Sequence, residues 1–299
     1  MDSPGGVTRT TGGAWLPALA LTLNAFTWGV SWWPFRQLQD AGLHPLWATA
    51  LIYGVAVLAI TLWRPGAWGQ LWRTRTLWVL VLAAGTTNAT FNWAVTIGDV
   101  VRVVLLFYLM PLWAVLLARL LLHEPLTGAA LFRVALALAG AATVLWPAEG
   151  GLPLPRTLAE WLSVLGGFSF ALNNVMLRRE AHQPEAARAL AMFVGGAVVA
   201  LVLAAALSAT AGSKVPLPPP LAVGWVLGAL AMGAAFLVGN IALQYGAARL
   251  PANVTAVVMI SEVLFASLSA VALGAGTMSL QLAVGGALIV GATLLSARQ

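Results

Sequence analysis

The sequence predicts an all-α integral membrane protein: ten transmembrane helices arranged as two inverted five-helix repeats. Three observations carry this. Of the 299 residues, 61% are hydrophobic and only 8% charged, with a mean hydropathy of +0.91, whereas soluble domains carry about 25% charged residues. The apolar residues form continuous runs near the roughly 20 residues that a helix needs to cross a bilayer, without the alternation of a barrel. Finally, Asn88, Asn92 and Trp93 return 152 residues later as Asn240, Gln244 and Tyr245. Two amides and a ring at one spacing in both halves point to a duplicated unit with a site between the copies.

Composition also removes function classes. The net charge of +6 comes from basic residues in short loops, which report topology and give no nucleic-acid partner. The chain has no cysteine, so disulfides, thiolate metal sites and cysteine nucleophiles are excluded. No Gly-rich phosphate loop ending in Lys-Ser/Thr occurs, which disfavours an ATP-driven pump. The histidines, His44, His123 and His182, lie at helix ends or in loops, and no aspartate is mid-span. An intramembrane enzyme needs a nucleophile with a base, or a metal set, at depth; none is expected here, nor any cofactor.

Residues 1–13 are small and polar and read as a flexible cytoplasmic tail. The first repeat, residues 14–147, holds spans at about Ala14 to Phe35, His44 to Trp63, Leu77 to Ile97, Val101 to Leu122 and Ala129 to Trp146. The length and tryptophans of the first span, and the spans after it, argue against a cleaved signal peptide. The short turn Gly98 to Val100 returns the fourth span antiparallel to the third, and Pro111 predicts a kink within it. Small residues every fourth position, Ala135, Ala139 and Thr143, make a close-packing face. A Gly- and Pro-rich connection at 148–157 joins the halves. The second repeat, 158–299, holds spans at about Leu158 to Leu177, Ala187 to Thr210, Ala222 to Tyr245, Ala252 to Leu273 and Ser279 to Ala297, with a second small-residue seam along Gly196, Ala200, Ala204 and Ser208.

With the N-terminus in the cytoplasm, eleven arginines fall inside and four basic residues outside. That bias puts both termini in the cytoplasm. Because five is odd, the second repeat enters from the opposite side, the arrangement from which alternating-access transporters are built.

The polar residues at depth are the site candidates. Asn24, Thr27, Trp28 and Ser31 share a face of the first span, for helix packing or cavity lining in equal measure. Asn88, Asn92 and Thr96 form one stripe at i, i+4 and i+8. Buried amides cost several kcal/mol, roughly, when unsatisfied in hydrocarbon, so Asn88, Asn92, Asn240 and Gln244 must meet helices, water or ligand. Amides donate and accept without fixed charge and suit a zwitterion. Trp28, Trp93, Phe107, Tyr108 and Tyr245 offer apolar walls, while Trp63, Trp68, Trp72 and Trp78 belong to the interfacial belts. Glu262 is the one acid far inside a span; a neutral glutamate bonded to a neighbouring helix is favoured over a proton carrier. Asp99 and Arg102 suit a local surface ion pair, with an outer gate as the alternative, and Glu124 suits a corner with Arg119 or Arg133.

Phe26-Thr27-Trp28-Gly29-Val30-Ser31 is echoed by Phe168-Ser169-Phe170-Ala171-Leu172-Asn173, and Leu109-Met110-Pro111-Leu112 runs on to Leu122-His123-Glu124-Pro125-Leu126-Thr127. In these stretches the chain resembles the drug/metabolite transporter superfamily, in particular the ten-helix EamA-type exporters and YddG-like amino-acid exporters. His123 stands where that family usually has glycine. The counterpart stretch Gly274 to Ser279 lacks the glutamate, and Val263 follows Glu262 where a proline is usual. The resemblance implies export of small metabolites, amino acids including aromatic ones among them, and the inner membrane is the expected location. Asn24 and Asn173 are further expected substrate contacts, and Pro111 and Glu262, with Asp99 and Arg102, the expected gating or coupling residues. The partners implied are a small-molecule substrate and the lipid bilayer, with the chain a monomer or weak homodimer. The alternative is a channel-like facilitator that follows the substrate gradient.

Overall fold

The computed structural model describes residues 15–123, 125, 127–147, 152–210, 214–247, 249–250, 258–259 and 261–296, and among these there is no strand. The expected tail, Glu124 and part of the connection between the halves lie outside the described residues. The helices are α1 (Trp15–Val30), α2 (Trp32–Asp40), α3 (Pro45–Trp63), α4 (Gly66–Arg73), α5 (Arg75–Ile97), α6 (Val100–Phe107) and α7 (Met110–Leu121). They continue as α8 (Gly128–Leu145), α9 (Leu158–Arg179), α10 (Glu185–Ser208), α11 (Val223–Ala247), α12 (Ser261–Ala272) and α13 (Leu280–Ser296). Among the described residues, five stretches are long and apolar enough to cross a membrane: Pro45–Trp63, Val100–Leu121, Gly128–Leu145, Glu185–Ser208 and Val223–Leu243. Helices α5 and α9 are as long, at 23 and 22 residues, but Thr86 to Asn92 and Ser169 to Asn174 dilute their apolarity. Asn88, Thr90, Asn92, Ser169 and Asn173 are buried, so these polar residues face protein and not lipid.

Two apolar runs are broken. The first turns at Ser31, whose hydroxyl donates to the Trp28 carbonyl at 2.8 Å, so that α2 carries the chain on to Asp40. The fourth breaks at Tyr108 and Leu109, one turn before Pro111, which occupies the first turn of α7. Proline has no N–H to return to the carbonyl four residues back, and that carbonyl belongs to Phe107, the last residue of α6. The expected kink is therefore a full interruption. The absent side chain of Gly167 in α9 leaves room for the Phe107 carbonyl, against which a Cβ there would collide.

Read by their principal contacts, the helices close a ring: α1 packs on α11, α11 on α3, α3 on α10, α10 on α5, α5 on α9, α9 on α6 and α7, α6 on α12, and α12 back on α1. Helices α8 and α13 pair with each other outside it, against α6 and α7. Bare glycines set the closest crossings. A Cβ on Gly195 would strike the Val81 carbonyl and Gly85 nitrogen of α5, and one on Gly140 would meet the Gly285 carbonyl of α13 at 2.7 Å. Small residues at such seams let backbones approach and dispersion accumulate, which is the means of helix association inside a bilayer.

Candidate functional site

Inside the ring lies a cavity of about 340 Å³, within the usual range for small-molecule sites. Its wall comes from α1, α3, α5, α6, α7, α9, α10, α11 and α13 together with Met259 and Glu262. The second, seventh and tenth expected spans thus contribute, although the polar residues singled out at depth lie on other spans. Tyr53 of α3, Phe193 of α10 and Thr293 of α13 are their entries into the wall.

Of the predicted contact residues, Asn24, Trp28, Asn88, Tyr108, Asn173 and Asn240 line this cavity. Trp28 stacks on Phe236 with ring centroids 4.5 Å apart and planes 15° from parallel, and Phe107 meets Phe170 at 5.3 Å. Asn24 is 1% exposed and donates through Nδ2 to the Met259 sulfur at 3.6 Å. Asn88 accepts from the Tyr53 hydroxyl and donates to the Ala84 carbonyl at 2.8 Å. Glu262 accepts from the Tyr108 hydroxyl at 3.2 Å, the bond to a neighbouring helix that the sequence favours. A Cβ on Gly29 of α1 would lie 2.8 Å from the Glu262 carbonyl, so that glycine lets α1 approach the backbone carrying the carboxyl group.

Others depart from the expectation. Asn92, one turn beyond Asn88, is fully buried and donates to the Thr49 hydroxyl of α3 at 3.0 Å, so it joins two helices and leaves the cavity wall. Trp93 is turned away and meets the edge of His44 at 5.2 Å. Tyr245 lies under the Arg249 guanidinium, 3.9 Å from the ring centroid, and does not reach the cavity. The side chains of Gln244 and Pro111 lie outside the described residues.

Asp99 and Arg102 do not form the expected ion pair with each other. Asp99 caps α6, accepting from the Arg102 backbone N–H at 2.9 Å, and its second oxygen accepts from the Thr277 N–H at 2.8 Å. The Arg102 side chain pairs with Glu160 of α9 at 2.7 Å. Glu160 also closes a capping box with Thr157, the Thr-x-x-Glu pattern that marks a helix start and that would have drawn it from the sequence. Arg36 donates to the carbonyls of Val95 at 3.0 Å and Gly98 at 2.6 Å. Burial lowers its guanidinium from the ordinary value, against the opposing pull of Asp99 and Asp40. The Val100 N–H donates to the Ala275 carbonyl at 3.2 Å. Of these, the Asp99–Thr277, Arg102–Glu160 and Val100–Ala275 bonds join the two halves at one end of the bundle.

Below them an apolar plug of Trp32, Val95, Val101, Val104, Ala266 and Ala270 is buried, and the Trp32 indole donates to the Ser269 hydroxyl at 2.9 Å. The cavity begins beneath this plug. Its lining residues run from mid-helix toward the other end of the bundle, as Asn174, Met192, Leu243 and Thr293 do.

Residues 15–146 match the EamA-like transporter family. No curated protein matches the chain. One solved crystal structure of a protein is similar over 93% of this chain and 96% of its own, at 20% identity and a TM-score of 0.53, a likeness of fold alone. The matched family and the apolar helices together make this a multi-pass membrane protein.

Proposed function

We propose that this membrane protein, with its EamA-like domain, is a secondary transporter that exports small metabolites bearing an amino group. Amino acids, including aromatic ones as in YddG-like exporters, are the first class to test, and the inner membrane is the proposed location. The observation that carries the reading is the cavity: small, aromatic, furnished with amides, and walled by helices from both halves of the chain.

The contacts support an inverted ten-helix repeat, with units at 14–147 and 158–299. Exchanging each expected span for its counterpart five positions on turns α1 on α11 into α9 on α5, and α11 on α3 into α5 on α10. It also leaves α3 on α10 and α8 on α13 unchanged, and all of these contacts occur. Going round the ring, helices of the first and second half alternate. Alternating access follows from one set rocking against the other about the central site. On the charge-bias orientation, the end tied by Asp99, Arg102 and Glu160 is the outer face, and the conformation is closed there. Asp99 and Arg102 then act as gate residues, each through the opposite half and not through each other.

The test is counterflow of radiolabelled phenylalanine and threonine into liposomes holding the purified protein, with and without an imposed proton gradient. Saturable flux supports the reading, and gradient-driven flux makes Glu262 the leading coupling residue. Flux that ignores the gradient makes the chain a facilitator. Sugar phosphates should not move, because the described cavity wall has no Lys, Arg or His to meet a phosphate.

A further inference from the structure

Several donors of the cavity wall are already committed. The Tyr108 hydroxyl is committed to Glu262 at 3.2 Å, Tyr53 to Asn88, Thr87 to the Ala83 carbonyl at 2.8 Å and Thr293 to the Ile289 carbonyl at 3.1 Å. The Nδ2 groups of Asn88 and Asn24 are bonded to Ala84 and Met259. The amides of Asn173, Asn174 and Asn240 also line the space. The Oδ1 atoms of Asn24 and Asn173 are buried without a partner, on side chains 1% and 2% exposed. Glu262 adds a carboxyl group, and no basic side chain stands among the described lining residues to balance it.

A zwitterion brings a carboxylate as well as an ammonium into this wall. Its carboxylate would enter a space of about 340 Å³ that already holds an acid and offers no cation, and like charges brought together disfavour binding. An ammonium ion meets the opposite condition: Glu262 supplies the counter-charge and carboxyl oxygens that accept from its N–H groups. Aromatic faces such as the Trp28 and Phe236 stack attract cations and bury an apolar body.

We propose that the preferred occupant is an arylalkyl primary ammonium, a monoamine without a carboxylate, held with its nitrogen toward Glu262 and its ring among the aromatic walls. This deepens the transport reading and rests on the same cavity. The N–H groups matter: a quaternary ammonium carries the charge but offers the Glu262 oxygens no hydrogen bond.

Titration calorimetry of the purified full chain with phenethylamine, phenylalanine and phenethyltrimethylammonium tests it. Phenethylamine should bind at least tenfold more tightly than either of the others, and Glu262→Gln, which keeps a side chain able to accept from Tyr108, should lose at least tenfold for the amine. Phenylalanine or the quaternary ion binding as tightly as phenethylamine overturns the proposal, as does no binding of any of the three. The ligand series needs no variant, so a misfolded Glu262→Gln does not spoil it. Counterflow in liposomes separates the two readings: selective amine binding without flux keeps the amine site and removes transport, whereas phenylalanine flux without amine binding keeps transport and removes the amine site.

Discussion

His123 holds a φ of 58°, in the left-handed region where a Cβ costs an L residue roughly 1–2 kcal/mol. It sits just past α7, and Gly274 just past α12 has φ 69°. His123→Gly should therefore raise stability by about 1 kcal/mol, less the entropy glycine adds to the unfolded chain, seen as a higher midpoint of thermal unfolding in detergent; a lower midpoint refutes the strain. Asn92 belongs to structure by the same standard. Asn92→Ala leaves the Thr49 hydroxyl without its buried donor, at a cost of about 1–3 kcal/mol, while the folded fraction should transport at the unaltered rate. The spacing of Asn88 and Asn92 made their common stripe legible. Which of them α3 would claim was not, because that depends on Tyr53 and Thr49, more than thirty residues away in the chain.

Among the elements, the α5 and α10 crossing depends on two glycines facing each other's backbone. Gly195→Ala drives a Cβ into the Val81 carbonyl, and because neither backbone can yield cheaply the substitution should cost about 1–3 kcal/mol and cut the yield of monodisperse protein. Gly54→Ala in α3 is the control: nothing lies within 4 Å of its would-be Cβ, so loss of backbone freedom should leave stability equal or up to about 1 kcal/mol higher. Equal losses from both would disconnect yield from this crossing. The small-residue pattern that predicts such seams is visible at Gly196 in the sequence, and Gly85 with Ala89 repeats it in α5, yet neither pattern says that these two helices meet. Pro111 shows the same division. Its presence locates the break, while the length of the interruption depends on how Gly167 receives the freed Phe107 carbonyl.

At the scale of the molecule, one end is held by few polar bonds. The Arg102 and Glu160 pair leaves the Arg102 side chain 35% exposed, and pairs of that kind contribute about 1 kcal/mol or less. Such a bond can release when the molecule changes state. Arg102→Gln should speed reaction of a cysteine placed at Phe91 with an impermeant thiol reagent added from the outer side, several-fold over the same cysteine with Arg102 intact. The native chain has no cysteine to react. Unchanged labelling would show that the pair does not hold that end shut. The helical class and the apolar runs were legible because they depend on local composition. The cross-half bonds were not, because each joins residues far apart in sequence.

The alternating ring also sets an order of events during synthesis. Helix α1 finds its principal neighbours in α11 and α12, which the ribosome makes some two hundred residues later. Until then its buried face, with Asn24 and Leu21, must wait in the bilayer among lipids or helpers, with its polar amide unmatched. The first half alone is therefore an assembly intermediate with half a ring and no enclosed space, and a chain cut in the 148–157 connection should regain its fold only when both pieces are made in the same cell.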